Sequence, residues 1–315
     1  MPCYLGIEIG GSKLQLGISQ PDQLLLAKLV RHDINSQRGA GEIRQQILAA
    51  AAALLKEYQP ARVGIGFGGP VDAASGITTT SHQVEGWDQF PLVDWCRQEL
   101  GLPAVLGNDC DVAGLAEATL GAGQGCRRVF YLTVGTGIGG GLLVDGRSAG
   151  ACRPAIAEIG HLRPGVSASS SQQTVESRAS GRAIEEAVRK RLGQDSQSDA
   201  ARELLHACQN DSSLLNCEMI ARAASAGNPL AGQVIAEAVE TLGWAIAQVI
   251  TITAPEIVVV GGGVSLMDDQ LFLEPLKHQV SRFVFGPLAE SYRICRAMLG
   301  EDVVVQGAIA LAAAE

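Results

Sequence analysis

Two stretches of the chain share one pattern of apolar and polar positions. Residues 4–19 read as an apolar strand, the tight segment Gly10-Gly11-Ser12-Lys13, and a second apolar strand. Residues 128–145 repeat that pattern around Gly135-Thr136-Gly137-Ile138-Gly139-Gly140-Gly141. Apolar runs joined by a glycine-rich break predict β-hairpins. Their repetition predicts a duplicated architecture, with one such hairpin in each half.

The segments between and beyond them alternate in type. An alanine-rich pattern at 42–58 predicts a helix stopped near Pro60, and 62–67 a strand running into Gly68-Gly69-Pro70. Residues 91–100 predict a short helix and 104–106 a strand. From 109 to 120, Val112, Leu115 and Ala116 fall at helical spacing, and Gly121 supplies the stop. The second half is richer in helix, at 175–192, 200–208, 217–226 and 229–251. A buried-strand pattern at 256–260 precedes Gly261-Gly262-Gly263, and a last helix spans about 304–313. Strands alternating with helices indicate an α/β fold.

Composition narrows the class. The 315 residues suffice for two domains, and at 47% hydrophobic and 18% charged the chain is globular rather than disordered. A net charge of -9 argues against a nonspecific nucleic-acid face. It does not exclude a nucleotide, whose charge backbone amides and a metal ion can offset. Met1-Pro2-Cys3-Tyr4 has no basic region of an export signal, and the most apolar helical pattern ends at Pro255, early for a membrane span. The expectation is a cytoplasmic protein with no membrane partner. The eight cysteines form no CxxC pair, so reduced, buried thiols are expected rather than a disulfide framework or a zinc site.

No GxxxxGK[ST] loop is present, which excludes a P-loop enzyme. Gly135, Gly137 and Gly140 satisfy GxGxxG, as do Gly64, Gly66 and Gly69. A dinucleotide fold needs a helix next, whereas Leu142-Leu143-Val144 and Pro70 follow. A glycine turn between strands instead leaves amides able to face phosphate oxygens. Ordinary tight hairpins are the bland alternative; two such turns together with Gly261-Gly262-Gly263 favour a nucleotide site. Asn108-Asp109 stands at a strand–helix junction, where a helix cap is the default reading. The other reading is a carboxylate able to take a proton from a hydroxyl. Glu158 and His161 flank Gly160 and could present to a polyhydroxy ligand, although a lone His is more often structural. Glu176 precedes a helix whose dipole it could complement.

In this order and spacing, the residues resemble the ROK family of repressors and sugar kinases. The likeness runs through Gly10-Gly11-Ser12-Lys13, Gly68-Gly69-Pro70-Val71-Asp72, Gly86-Trp87, Asn108-Asp109 and Leu132 to Gly141. It continues in Glu158-Ile159-Gly160-His161, Glu176 with Ala179-Ser180-Gly181, and Gly261-Gly262-Gly263. The resemblance implies a two-lobed actin-like, hexokinase-type ATPase fold with a central cleft. Residues 1–110 and the C-terminal helix 303–315 would form the small lobe, and 111–302 the large one. It implies an ATP-dependent kinase acting on a hexose primary hydroxyl. Glucose is the first choice of substrate, because Glu158, His161 and Glu176 resemble the glucokinase branch. Asp109 would be the base. Gly69, Asn108, Glu158, His161 and Glu176 would bind the sugar. Gly10, Gly11, Ser12, Lys13, Thr133, Gly135, Thr136 and Gly137 would bind phosphates, and Gly261, Gly262 and Gly263 would flank the adenosine. Mg²⁺ would arrive with ATP, near Glu8. The partners would be the sugar and ATP, without nucleic acid, in a homodimer by analogy.

Three departures from the family pattern stand out. Glu8 and Ser12 replace the usual Asp and Thr of the first turn, and Gln83 replaces an Asn ahead of Gly86-Trp87. The third is the largest. The family's zinc motif, Cys-x-Cys-Gly-x-x-Gly-Cys-x-Glu with the His of Gly-His, is replaced by a serine-rich run at 163–175 that holds no cysteine. A structural zinc needs four N or S ligands, and His161 alone cannot supply them, so no structural zinc is expected. Two other readings remain. One is a sugar-sensing regulator, which in this family carries an added N-terminal helix-turn-helix, whereas the hairpin here starts at Tyr4. The other is a sugar-binding protein without catalysis. Polyphosphate is an alternative donor, since glycine turns recognise phosphate rather than base.

Overall fold

A computed structural model describes residues 2–80, 84–150, 155–165 and 170–314. Gln83, Cys152 and part of the serine-rich run lie outside the described residues.

The elements follow in chain order. The first hairpin is β1 (Tyr4–Ile9) and β2 (Lys13–Ser19), followed by β3 (Leu26–Asp33), α1 (Gly39–Tyr58) and β4 (Arg62–Phe67). Then come β5 (Val71–Asp72), β6 (Ile77–Thr78), α2 (Leu92–Leu100), β7 (Ala104–Asn108) and α3 (Asp109–Thr119). The second hairpin is β8 (Arg128–Val134) and β9 (Ile138–Val144), followed by β10 (Arg147–Ser148). The helical stretch comprises α4 (Glu176–Ala179), α5 (Gly181–Gln194), α6 (Asp199–Ala207), α7 (Cys217–Ser225) and α8 (Pro229–Thr253). The chain closes with β11 (Ile257–Gly261), α9 (Leu273–Phe283), β12 (Arg293–Arg296) and α10 (Val303–Ala314).

The predicted duplication is present at the level of whole sheets. One five-stranded sheet has the order β3-β2-β1-β4-β7, and the other β10-β9-β8-β11-β12. In each, the hairpin leads into a third antiparallel strand, and the far edge is a parallel pair. The chain forms two compact units. One comprises Met1–Tyr131, Gly141–Ala157 and Ala297–Glu315; the other comprises Leu132–Gly140 and Glu158–Arg296.

In the first unit, strand alternation sorts side chains to the two faces of the sheet. Leu5, Ile7, Leu14, Leu16, Ile18 and Ile65 form one core with Ile43, Ile47 and Leu54 of α1. The opposite face carries Gly6, Gly17 and Gly64, and α10 lies on it. A Cβ at Gly64 would overlap the Ala308 carbonyl, so the helix backbone rests directly on the sheet. On its other side, α10 presents Gly307 to the Val112 carbonyl of α3. A helix apolar on every side must be buried on every side, and Val303, Val305, Ala308, Ile309, Ala310 and Ala312 are.

The second unit is built around α8, which packs against α4, α5, α7 and α9. At 25 residues α8 is long and apolar enough to cross a membrane, which corrects the expectation that Pro255 ends it too early. Its Val234, Ile235, Ala238, Leu242, Ile246 and Ile250 are instead buried in this core. The single helix expected at 175–192 is interrupted. Ser180 is extended (φ -69, ψ 161), and its Oγ accepts from the Ala183 N–H, ending α4 and capping α5. The sequence pattern did not indicate β3, β10, β12 or α9. All seven described cysteines are free thiols.

Candidate active site

In the first unit, three loops converge where β1, β4 and β7 end. The turn between β1 and β2 closes with the Gly10 N–H donating to the Lys13 carbonyl at 3.0 Å. This leaves the amides of Gly11 and Ser12 as its ligand-facing candidates. The Gly68 N–H donates to the Ile9 carbonyl at 2.8 Å, fixing the loop after β4 beside the turn. Asn108 caps α3 through Oδ1, which accepts from the Cys110 N–H at 2.9 Å, and its Nδ2 donates to the Gly69 carbonyl at 3.0 Å. The cap reading of Asn108 therefore holds, and the same side chain anchors the Gly69 loop. Asp109 is half-buried; its Oδ1 accepts from the Cys110 N–H at 2.8 Å. Its Oδ2 lies beside Gly68, 3.6 Å from where a Cβ would stand, and the Gly10 Cα is 3.4 Å from the same point. Glycine at 68 thus keeps open the space shared by the first turn and the Asp109 carboxylate.

Glu8 lies on the α10 face of the sheet, directly across from Gln15. It is 5% exposed. One oxygen pairs with Lys13 Nζ at 3.2 Å, and the other has no partner among the described residues. Burial pushes its carboxyl up to about 7; Lys13 opposes this, while the negative charges of Asp109 and Asp302 add to it. Lys13 Nζ also donates to the Glu301 carbonyl at 3.1 Å.

In the second unit, the turn between β8 and β9 is held from two sides. The Gly135 N–H donates to the Gly137 carbonyl at 2.9 Å, and the Gly135 carbonyl accepts from the Gly181 N–H at 2.7 Å. The Ile138 N–H donates to Glu176 Oε2 at 2.7 Å. A Cβ at Gly137 would stand 2.7 Å from that oxygen, so glycine is needed for the carboxylate to reach the turn. The amides of Thr136 and Gly137 are this turn's ligand-facing candidates. Gly262 (φ +84) packs on the Val134 backbone, and Gly181 abuts Val264. Thr133, Gly135 to Gly137, Gly181 and Gly261 to Gly263 therefore form one glycine-lined cluster. Gly263 itself faces open space.

Glu158, His161 and Glu176 border the same turn. Gly160 presses onto the Ile138 carbonyl, an approach that only glycine permits, and so brings the 158–161 segment against the turn. Burial raises the Glu158 carboxyl above the usual range, with His161 opposing and Glu176 reinforcing the rise. A cavity of about 390 Å³ is lined by His161, Glu176, Thr136, Thr174, Ser177 and Arg182, among others.

The ROK family model matches residues 4–315. The chain belongs to the ROK family. Its likeness to this family's glucokinases runs end to end. It is 28% identical to a glucokinase of Halalkalibacterium halodurans, covering 96% of this chain and 93% of that one. It is 28% identical to a glucokinase of Thermotoga maritima, covering 98% and 96%. The crystal structure of a Streptomyces griseus ROK glucokinase in complex with glucose and AMPPNP superposes with a TM-score of 0.84 at 28% identity, covering 99% of this chain and all of that one. The fold is thus the actin-like, hexokinase-type α/β ATPase fold.

The structure places the sequence-predicted residues of this ROK chain in two groups. Glu8, Gly10 to Lys13, Gly69, Asn108 and Asp109 gather in the first unit. Thr133, Gly135 to Gly137, Glu158, His161, Glu176 and Gly261 to Gly263 gather in the second. Among the described residues, no group of three or more His, Cys, Asp or Glu side chains is placed to hold a metal ion. Sequence reading overlooked Gly160 and Gly181 as packing positions. A Ser-Gly pair inside an apolar periodic run was the available signal for the second, since that pair favours a cap over a helix interior.

Proposed function

We propose that this protein transfers the terminal phosphoryl group of ATP to the primary hydroxyl of a hexose, glucose foremost, giving glucose 6-phosphate. Its class is that of a sugar kinase, as its full-length likeness to glucokinases indicates. The observation that carries the finer reading is the open space at Gly68, which a half-buried Asp109 carboxylate and the first glycine turn share.

Phosphoryl transfer depends on positioning and on offsetting charge. Asp109 accepts the proton of the attacking hydroxyl. The Cys110 amide holds its carboxylate in one orientation. Glu158 and His161 accept and donate hydrogen bonds to the remaining hydroxyls. Glu176 divides its role: one oxygen fixes the second glycine turn, and the other faces the sugar. The amides of Gly11, Ser12, Thr136 and Gly137 and the ammonium of Lys13 offset phosphate charge. Gly261, Gly262 and Gly263 bound the adenosine, where the absence of side chains lets the base approach backbone. The unpartnered, buried oxygen of Glu8 suits a hydrated divalent cation. Glu8 would hold Mg²⁺ through water, and the ion would supply positive charge to offset that of the phosphates.

The test is a coupled ADP-release assay over a panel of hexoses, with ATP and polyphosphate as donors. Asp109→Asn should retain the fold and lose at least about 100-fold in kcat. Near-normal turnover of that variant would remove Asp109 from the role. Sugar binding by calorimetry without ADP release from the wild type would favour a non-catalytic sugar-binding protein instead.

A further inference from the structure

One heavily bonded side chain among the described residues of the first unit has no part in the reaction as proposed. Glu117, two turns into α3 from Asp109, is 0% exposed. Among the described residues, no Lys, Arg or His pairs with it. Its charge is met by three backbone amides. Oε2 accepts from the Ala122 N–H at 2.8 Å, and Oε1 accepts from the Met298 N–H at 2.8 Å and the Leu299 N–H at 2.9 Å. The loop that follows α3 is shaped around it. A Cβ at Gly121 would collide with Oε2, and the Gly123 N–H donates to the Glu117 carbonyl at 2.9 Å. A buried, unpaired carboxylate is costly unless amides hold it in this way.

Two of the three donors lie far away in sequence, where the chain returns to the first unit at Ala297. The side chain of Met298 is 71% exposed. Glu117 grips its backbone. The next residues reach the first glycine turn. The Glu301 carbonyl accepts from Lys13 Nζ at 3.1 Å, Asp302 pairs with Arg31, and Lys13 in turn pairs with Glu8.

We propose that Glu117 is a positioning residue for phosphoryl transfer, which fixes the Lys13–Glu8 end of the first turn relative to Asp109 by tying α3 to the 298–302 segment. The inference rests on the kinase reading for its consequence, but its geometry can be tested without it.

The perturbation is Glu117→Gln, whose amide must turn a donor toward one of the three N–H groups. Leu299→Pro is the companion, removing one of the two distal amides while leaving the carboxylate and the Ala122 bond in place. Hydrogen–deuterium exchange is measured across 8–13, 120–123 and 298–302, with steady-state kinetics for both substrates. Exchange at 298–302 and at 8–13 should rise together, about 10-fold or more for the loss of a charged hydrogen bond. In the kinetics, kcat should fall about 10–100-fold and KM for ATP should rise, with KM for the sugar little changed. Faster exchange confined to 120–123 and 298–299, with 8–13 unchanged, would overturn the proposal whether or not the wild type is a kinase. So would a lowered Tm with kcat and KM for ATP at wild-type values. Should Glu117→Gln fail to fold, Leu299→Pro gives the same readouts. A wild type inert toward every hexose would sink the kinase reading alone, because the exchange result still decides the coupling.

Discussion

Replacing Glu8 with Gln should make this protein more stable and less active, and the stability gain should depend on pH. Glu8 is 5% exposed, one oxygen pairs with Lys13, and the other is unpartnered. Burial is the main reason its carboxyl rises from 4.5 to about 7. The folded protein therefore holds this proton more tightly than the unfolded chain does. As pH climbs from 4.5, the unfolded chain releases the proton first, and folding loses free energy until the folded carboxyl also ionises near pH 7. At ~1.36 kcal/mol per pH unit, the penalty reaches about 3 kcal/mol at pH 8 and stays under about 1 kcal/mol at pH 5. Gln has nearly the same shape and no charge, so Glu8→Gln escapes the penalty. Thermal unfolding in EDTA should show the variant above the wild type by about 5 °C at pH 8, with most of the gap closed at pH 5. Under saturating sugar and Mg-ATP the same variant should lose turnover. A gap of equal size at both pH values, or none at pH 8, would refute the assignment of the penalty to Glu8. Stability gained together with activity lost is the pattern expected of a charge retained for function.

Other outcomes follow from the packing and the charges. Gly263→Ala meets nothing within 4 Å, so Tm should hold while KM for ATP rises, and unchanged ATP affinity would place the adenosine elsewhere. Gly64→Ala drives a methyl into the Ala308 carbonyl and should cost about 3 kcal/mol or more in chemical unfolding, with Ala308→Gly giving no rescue because the clash is with backbone. In the proposed role, Glu158 accepts hydrogen bonds from sugar hydroxyls as a carboxylate. Because burial raises it and Glu176 adds to the rise, the acid limb of kcat/KM for glucose should lie above the ordinary glutamate range. Glu176→Gln should move that limb to lower pH; an unmoved limb would separate the two carboxylates.

Where the sequence patterns were strong, they located the fold well. Both hairpins, β4 and α3 stand where apolar runs and glycine breaks put them, because a strand buried on both faces leaves an unbroken apolar signature. The edge strand β3 escaped notice because much of Leu26–Asp33 is exposed, so neither face imposes an alternation. The break at Ser180 was hidden because α4 and α5 share one apolar periodicity across it, and what demands the break is Gly181 reaching the Gly135 carbonyl, a long-range contact. The site residues were legible as types and spacings. Their bonding was not, since no local pattern couples Glu176 to Ile138 or Glu117 to Leu299.

The seating of α10 has a consequence for biosynthesis. The apolar groove formed by Gly6, Gly17 and Gly64 is translated first, yet the helix that covers it is translated more than two hundred residues later. At about 5–20 residues per second the ribosome leaves this groove without its lid for tens of seconds. During that interval the nascent chain is open to chaperone capture, and to self-association if capture fails. A ribosome stalled before α10 would release a polypeptide whose opening sheet has α1 for one face and nothing for the other.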